Sequence, residues 1–272
     1  MSMTEDMVIL ISDAHIGRKT DSYNVDVFRE RMRVLRDRLY EIKCMINRDH
    51  AIGGLHIFVL GDIIDGHDIY RGQAYEQEFT IDDMIDTAHR EFVGFISWFV
   101  NSGFRRKFDF VDVHCVYGNH GRVKTAGTKT NWDKVLYKLL RETYSDNEHV
   151  NVTVYDKWYG VAEIKGWKYL LLHGDSLRSS AGIPYYGLTR NVLRWKTGGI
   201  DEDFDCVCMG HWHTIADICV NNVRVLMNGT MLSGDDFVEK FGLKAQNKFW
   251  TFGVNEEKYI SWQAQIDIGD DE

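Results

Sequence analysis

The sequence predicts an α/β protein of two packed mixed β-sheets flanked by helices, in a single domain over residues 1–272. Three observations lead there. Strand-length apolar runs alternate with stretches of helical period through the first half, giving a βαβαβ order. From residue 150 onward, short strand-like runs follow one another, several joined by tight turns. The chain has one proline, Pro184, and neither a low-complexity tract nor a repeat, so nothing marks a linker.

Met7–Ser12 (MVILIS) is apolar throughout and reads as a buried strand. Residues 22–48 place Val25, Phe28, Met32, Leu35, Leu39, Ile42 and Ile46 at steps of three and four, the spacing of a helix with one apolar face. Leu55–Leu60 is the next strand. A second helix over 80–100 carries Ile81, Ile85, Ala88, Phe92, Phe95 and Phe99 on one stripe, with Thr80 and Asp83 as a capping box. Phe108–Tyr117 alternates as a third strand, and Asn131 is placed to cap a helix bearing Val135, Leu136, Leu139 and Leu140. The later strands are expected at 150–155, 160–164, 167–173, 204–209, 213–220, 223–228, 248–254 and 257–265, in a mostly antiparallel arrangement. Lys165-Gly166 and Asn221-Asn222 are the expected hairpin turns. Residues 176–203 form a polar and aromatic insert, expected to be a functional loop.

The composition, 44% hydrophobic and 27% charged, is that of a soluble globular protein. A formal net charge of −9 excludes a uniformly basic nucleic-acid clamp while leaving room for local basic patches. No apolar run approaches a membrane span, and Met1–Met7 does not resemble a signal peptide. The five cysteines, Cys44, Cys115, Cys206, Cys208 and Cys219, lack a CxxC-type partner pair and read as buried reduced thiols, which places the protein in the cytoplasm.

Five short polar motifs each follow an apolar strand: Asp13-Ala14-His15, Gly61-Asp62-Ile63-Ile64-Asp65, Gly118-Asn119-His120, His173-Gly174-Asp175 and Gly210-His211-Trp212-His213. In an extended chain residues i and i+2 point the same way, so Asp13 with His15, and His211 with His213, can reach one site. Gly61, Gly118 and Gly210 permit sharp turns and close approach. Asp, His and Asn supply oxygen and nitrogen ligands without thiolate, a set suited to manganese, iron or zinc. Each motif alone is common; five in this order, each at a strand end, form a joint signal for a two-metal centre.

These motifs resemble those of the calcineurin-like metallophosphoesterase superfamily, over Asp13 to His213. The resemblance implies that Asp13, His15, Asp62 and His213 hold one metal ion, and that Asp62, Asn119, His173 and His211 hold a second, with Asp62 shared. It implies two divalent ions, manganese first and iron or zinc as alternatives, and a bridging water or hydroxide as nucleophile. His120 would stabilise the transition state or protonate the leaving oxygen, with Asp65 orienting it. Many members of that superfamily follow the Asn-His pair with an acid; here Gly121 and Arg122 stand there, which makes Arg122 a candidate phosphate clamp. The Gly118–Arg122, His173–Ser176 and Gly229–Gly234 stretches look similar to those of bacteriophage-encoded phosphoesterases, in which case the cytoplasm would be the host's.

Substrate selection falls to other residues. Ser176, Arg178, Tyr185, Tyr186, Arg190, Arg194, Trp195 and Lys196 interleave basic and aromatic side chains, as suits a nucleotide or single-stranded nucleic acid. The competing reading is a helix within 185–196 with aromatics packed on the core. Lys124 and Lys129 would extend a basic rim near Arg122. The leading expectation is a phosphodiesterase or nuclease; a phosphomonoesterase acting on nucleotides or phosphoproteins is the alternative. A non-catalytic binding module would be expected to lack ligands, and none is missing. The sequence is compatible with a homo-oligomer.

Overall fold

The computed structural model of the protein describes residues 4–100, 107–124, 130–180, 184–234 and 244–269. Lys129 lies outside them. The first sheet is built by β1 (Thr4–Ile11), β2 (Ala51–Val59), β3 (Val111–Cys115) and β4 (Val150–Val154), all parallel, each joined to the next across a helix: α1 (Val25–Ile46), α2 (Ile81–Val100) and α3 (Trp132–Thr143). Two late strands, β10 (Lys248–Val254) and β11 (Trp262–Asp267), return antiparallel at the β1 edge, giving the order β11-β10-β1-β2-β3-β4.

The second sheet, in the order β5-β6-β7-β9-β8, contains β5 (Tyr159–Ile164), β6 (Trp167–Leu172), β7 (Cys206–Met209), β8 (Ala216–Val220) and β9 (Val223–Met227). Its hairpins turn where expected. Lys165 and Gly166 both have positive φ (50° and 87°), as do Asn221 and Asn222 (48° and 66°), the conformation of a two-residue turn whose twist matches the strands. The later strands pair mostly antiparallel, as expected, with one exception: β7 runs parallel to both β6 and β9. The cause is the 176–203 segment, which contains α4 (Tyr185–Arg194) and forms a β–α–β crossover. It is thus not simply a loop. The last strand also shifts, from 257–265 to 262–267, because the Asn255 side chain accepts the Glu257 and Lys258 amides in a turn (3.0 and 2.8 Å).

Alternation along β1 explains the layers. Met7, Ile9 and Ile11 face α1–α3, whereas Val8 and Leu10 face the second sheet beside Phe58, Tyr169 and Phe252. Between β2 and β10 and with both faces covered, residues 7–11 have no solvent-facing position, which is why that run is apolar throughout. On the far side, Leu188, Val192 and Trp195 pack with Leu170, Leu172 and Val207 on the outer face of the second sheet. Asn131 caps α3, accepting the Asp133 amide at 2.9 Å, and the Thr80 hydroxyl lies 2.8 Å from the Asp83 carboxylate. All five cysteines are unpaired; Cys115, Cys206 and Cys208 are buried, but Cys44 and Cys219 point outward from α1 and β8 and are exposed, contrary to expectation. No helix among the described residues is long and apolar enough to cross a membrane.

Parallel strands bring their C-terminal ends to one edge. β1, β2 and β3 of the first sheet and β6 and β7 of the second therefore deliver all five polar motifs to a common crevice, the place where open α/β sheets bind ligands. Leu10 lies fully buried between the sheets. Its truncation to alanine should lower unfolding free energy by about 2–5 kcal/mol in denaturant titration; a cost below about 1 kcal/mol would contradict that placement.

Candidate metal centre

The loop after β1 is stitched to the loop after β2: the Asp13, His15 and Ile16 amides donate to the Gly61, Asp62 and Ile63 carbonyls at 3.0, 3.0 and 2.8 Å. From the other sheet, the Gly210 amide donates to the His173 carbonyl at 3.0 Å, and the His211 amide reaches the Asp13 carboxylate at 3.0 Å. Two glycines are needed for contact rather than conformation: a Cβ on Gly118 would lie 2.1 Å from Asp62 Oδ1, and one on Gly210 would lie 2.6 Å from Asp13 Oδ2. Gly61 also has a positive φ of 89°.

Five of the expected ligands are themselves in the left-handed region: Asp13 (φ 52°), His15 (46°), Asp62 (52°), His211 (73°) and His213 (52°). Each costs on the order of 1–3 kcal/mol. Their concentration at one crevice makes the strain part of the site's construction.

The structure gathers Asp13, His15 and His213 in one group and Asp62, His173 and His211 in another, with ligating atoms in each within 4.8 Å of one another. Asp62 also groups with His15 and His120, so it stands between the two. Asn119 joins the second group, its Oδ1 3.1 Å from His173 Nε2. His173 Nε2 further lies 2.9 Å from Asp62 Oδ2 and 3.2 Å from His211 Nδ1, while His213 Nε2 lies 3.3 Å from His15 Nε2 and 3.4 Å from Asp13 Oδ1.

These facing atoms can all ligate a metal ion. His173 donates its Nδ1–H to the Leu60 carbonyl (2.8 Å), which turns its Nε2 toward Asp62 and Asn119. His15 has its Nδ1 against Asp65 (3.1 Å), which turns its bare Nε2 toward His213. Two buried carboxylates among these rings call for positive charge, from protons or from metal. The observed separations are those of neighbours in the shell of an ion bound at about 2.0–2.2 Å, so the residues fit divalent metal.

Protonation follows the same field. Burial opposes charge on Asp13 and Asp62, yet the imidazoles of His213 and His173 hold both carboxyls below the ordinary range. For His173, burial favours the neutral ring but Asp62 overrides it and lifts the pKa to about 10, so in the absence of metal a proton is held where an ion would sit. His211 goes the other way, lowered to about 3 by burial and by His173, and stays a neutral ring able to ligate.

Asp65, fully buried, accepts from both His15 Nδ1 (3.1 Å) and His120 Nδ1 (3.2 Å) on the same oxygen. It therefore ties a ligand to His120. The His120 ring is one-fifth exposed, and its Nε2 is left free by the Asp65 contact at Nδ1. Its amide donates to Asp62 Oδ1 at 2.7 Å. Burial acts to lower its pKa, but Asp62 and Asp65 outweigh this and raise it above 6.5.

The substrate candidates Arg122, Arg178, Tyr185 and Arg190 are exposed. The Arg122 amide donates to the Asn119 carbonyl at 3.4 Å, beside the cage. Tyr186 and Arg194 share the exposed side of α4. Trp195 is buried in the outer core, and Lys196 is engaged by Asp203 at 2.6 Å, so these two leave the basic-aromatic set.

Sequence reasoning missed the supports. Gln73 and Gln77 donate to Asp65 Oδ2 at 2.8 and 3.1 Å; their stretch has neither period nor motif to reveal them. Asp133, also fully buried, accepts four backbone N–H groups, from Asp62 (3.0 Å), Ile63 (3.2 Å), Ile64 (3.0 Å) and Gly118 (2.9 Å). It thereby clamps the second and third motif loops together. The absence of an acid at position 121 was the available signal. A Cβ there would lie 2.4 Å from Asn131 Oδ1 and 3.0 Å from the Asp133 amide, so no side chain fits. Burial and Asp62 push the Asp133 carboxyl up to about 6, against its backbone hydrogen bonds.

No protein-family model matches the chain, and no curated protein is similar to it in sequence. Among solved structures it is similar to zinc-complexed Vps29 from Entamoeba histolytica (12% identity, 97% of this chain and 99% of that one, TM-score 0.45). It is also similar to an archaeal phosphodiesterase (14% identity, 96% and 98%, TM-score 0.42) and to a predicted phosphoesterase from Streptococcus pneumoniae (10% identity, 97% and 98%, TM-score 0.35). Likenesses at this level say nothing of activity; the chemistry rests on the side chains described above.

Replacing Asp133 with alanine strands four buried backbone donors. Stability should fall by about 3 kcal/mol or more, and bound metal should fall with it, read by denaturant titration and elemental analysis. Full metal content in the folded variant would separate Asp133 from the cage.

Proposed function

We propose that this protein is a metal-dependent phosphoesterase of the calcineurin-like type, hydrolysing phosphodiesters of nucleotides or nucleic acid. The observation that carries the reading is the buried cage of carboxylate, amide and imidazole groups with His120 at its rim. A cage of carboxylate, amide oxygen and imidazole suits two ions of the manganese, iron or zinc kind, manganese being our first choice. When bound, such ions activate water and neutralise charge on a phosphoryl group.

The chain's own residues divide the remaining work. Asp13, His15 and His213 would hold one ion, Asn119, His173 and His211 the other, and Asp62 both. Asp65 fixes His120 with Nδ1 protonated and Nε2 directed to the open side, where it can give a proton to the leaving ester oxygen. The carboxylates that raise its pKa keep this acid charged to higher pH than a free imidazole. Exposed Arg122 and Arg178 would meet further phosphate oxygens, and exposed Tyr185, Tyr186, Arg190 and Arg194 on α4 would offer stacking and charge to a polymeric substrate. Partner binding of this kind is supported by exposure and residue type.

Paired chromogenic phosphate monoester and diester substrates, assayed with added Mn²⁺ and with chelator, test the reading. Diester hydrolysis abolished by chelator is the expected result. A monoester preference would favour the phosphomonoesterase alternative, and no metal-dependent turnover on either would count against hydrolysis.

Substituting His120 by asparagine should cut kcat about 10²–10⁴-fold while both ions stay bound; undiminished turnover would remove His120 from the chemistry. Activity that needs the protonated ring is lost as pH rises through the His120 pKa. Asp65→Asn removes a charge that raises this pKa, so the alkaline limb of the pH–rate profile should move to lower pH. An unmoved limb, with metal content intact, would show that another group sets it.

A further inference from the structure

Away from the cage, β2 and β3 carry a second group of ligating side chains. His56 on β2 lies directly across from Asp112 on β3, and His114 is two residues further along β3 on the same face. One ligating atom from each lies within 4.8 Å of the others. Along β2, His56 is separated from the strand's C-terminal end by about 10 Å, so this group shares nothing with the cage. It faces the second sheet, with the Phe58 ring 5.6 Å from that of His114.

The histidines are built in as ligands are. His56 is 4% and His114 9% exposed. The Tyr155 hydroxyl donates to the Val161 carbonyl (2.9 Å) and so receives the Nδ1–H of His114 (3.2 Å). That fixes the tautomer and leaves the His114 Nε2 lone pair buried with no hydrogen-bond partner. Both nitrogens of His56 are likewise buried and unpartnered. Its Nδ1 is 3.7 Å from Asp112 Oδ2, and its Nε2 is 3.7 Å from Asp6 Oδ2.

A gap of that size is too long for a hydrogen bond. It is close to the span between two atoms that each lie about 2.1 Å from a shared ion. Asp6 already receives the Gly54 amide (3.0 Å) and Lys165 Nζ (3.3 Å), so it can orient the remote nitrogen of His56 as outer carboxylates do for metal-bound histidines. The Asp112 side chain, 29% exposed, gives an ion a way in. A charged His56 between two carboxylates would account for Asp6 and Asp112, but would leave His114 Nε2 without a partner.

We infer that His56, Asp112 and His114 form a further metal site that takes a transition ion of the zinc class and ties β2 to β3. Two imidazoles and one carboxylate are a zinc-type set. It lies about 10 Å along β2 from the strand end that carries the cage, and so is separate from it.

The test compares bound zinc per chain in the whole protein, Asp112→Ala and His114→Phe, after loading with Zn²⁺ and removing free ion. The phenylalanine preserves an aromatic ring in the inter-sheet core but cannot ligate. Both variants should hold one ion fewer than the unaltered chain, with chromogenic ester hydrolysis unchanged. The difference is independent of how many ions the cage binds, so its failure is distinct from failure of the phosphoesterase reading. Zn²⁺ should also raise the melting temperature of the unaltered chain more than that of Asp112→Ala. An equal zinc count in either folded variant would overturn the inference.

Discussion

The burial of two carboxylates among imidazoles governs this molecule's crevice. The carboxylates of Asp13 and Asp62, the amide oxygen of Asn119 and the ring nitrogens of His15, His173, His211 and His213 meet with separations as short as 2.9 Å. In a dry interior such an arrangement is unfavourable unless positive charge occupies its centre. Much else near the site can be understood as what is needed to hold those groups together before charge arrives.

Holding them falls to the backbone. Left-handed conformations at five candidate ligands turn the chain at the ends of strands that would otherwise run on. Asp and His tolerate that region better than most residues, which suits the ligand types to the turns they occupy. The strain persists because the loops are bonded to one another, and because the Asp133 carboxylate collects the amides of Asp62, Ile63, Ile64 and Gly118. A single buried acid from the start of α3 thus fixes the geometry of two loops that come from different strands.

Asp65 couples ligation to chemistry. One oxygen faces both His15 and His120, and the other is saturated by Gln73 and Gln77. The carboxylate cannot turn away from either histidine without losing a buried hydrogen bond, so the ring of His120 is registered against the cage. The same logic recurs on β2 and β3, where Tyr155 and Asp6 face the remote nitrogens of His114 and His56.

The sequence by itself determined the elements and the polar motifs, because both are local. Apolar period marks strands and helices; Lys165-Gly166 and Asn221-Asn222 carry their own turn preference; and ligand spacing such as Asp13-x-His15 is written within three residues. Tertiary structure decided what depends on distant partners. The parallel setting of β7 follows from α4 crossing over, a packing choice made by Leu188, Val192 and Trp195 against the second sheet. Asp133, Gln73 and Gln77 acquired their roles only when folding brought them to backbone amides and to Asp65. The cluster of His56, Asp112 and His114 exists only because β2 and β3 pair in one register, which no reading of either strand alone contains.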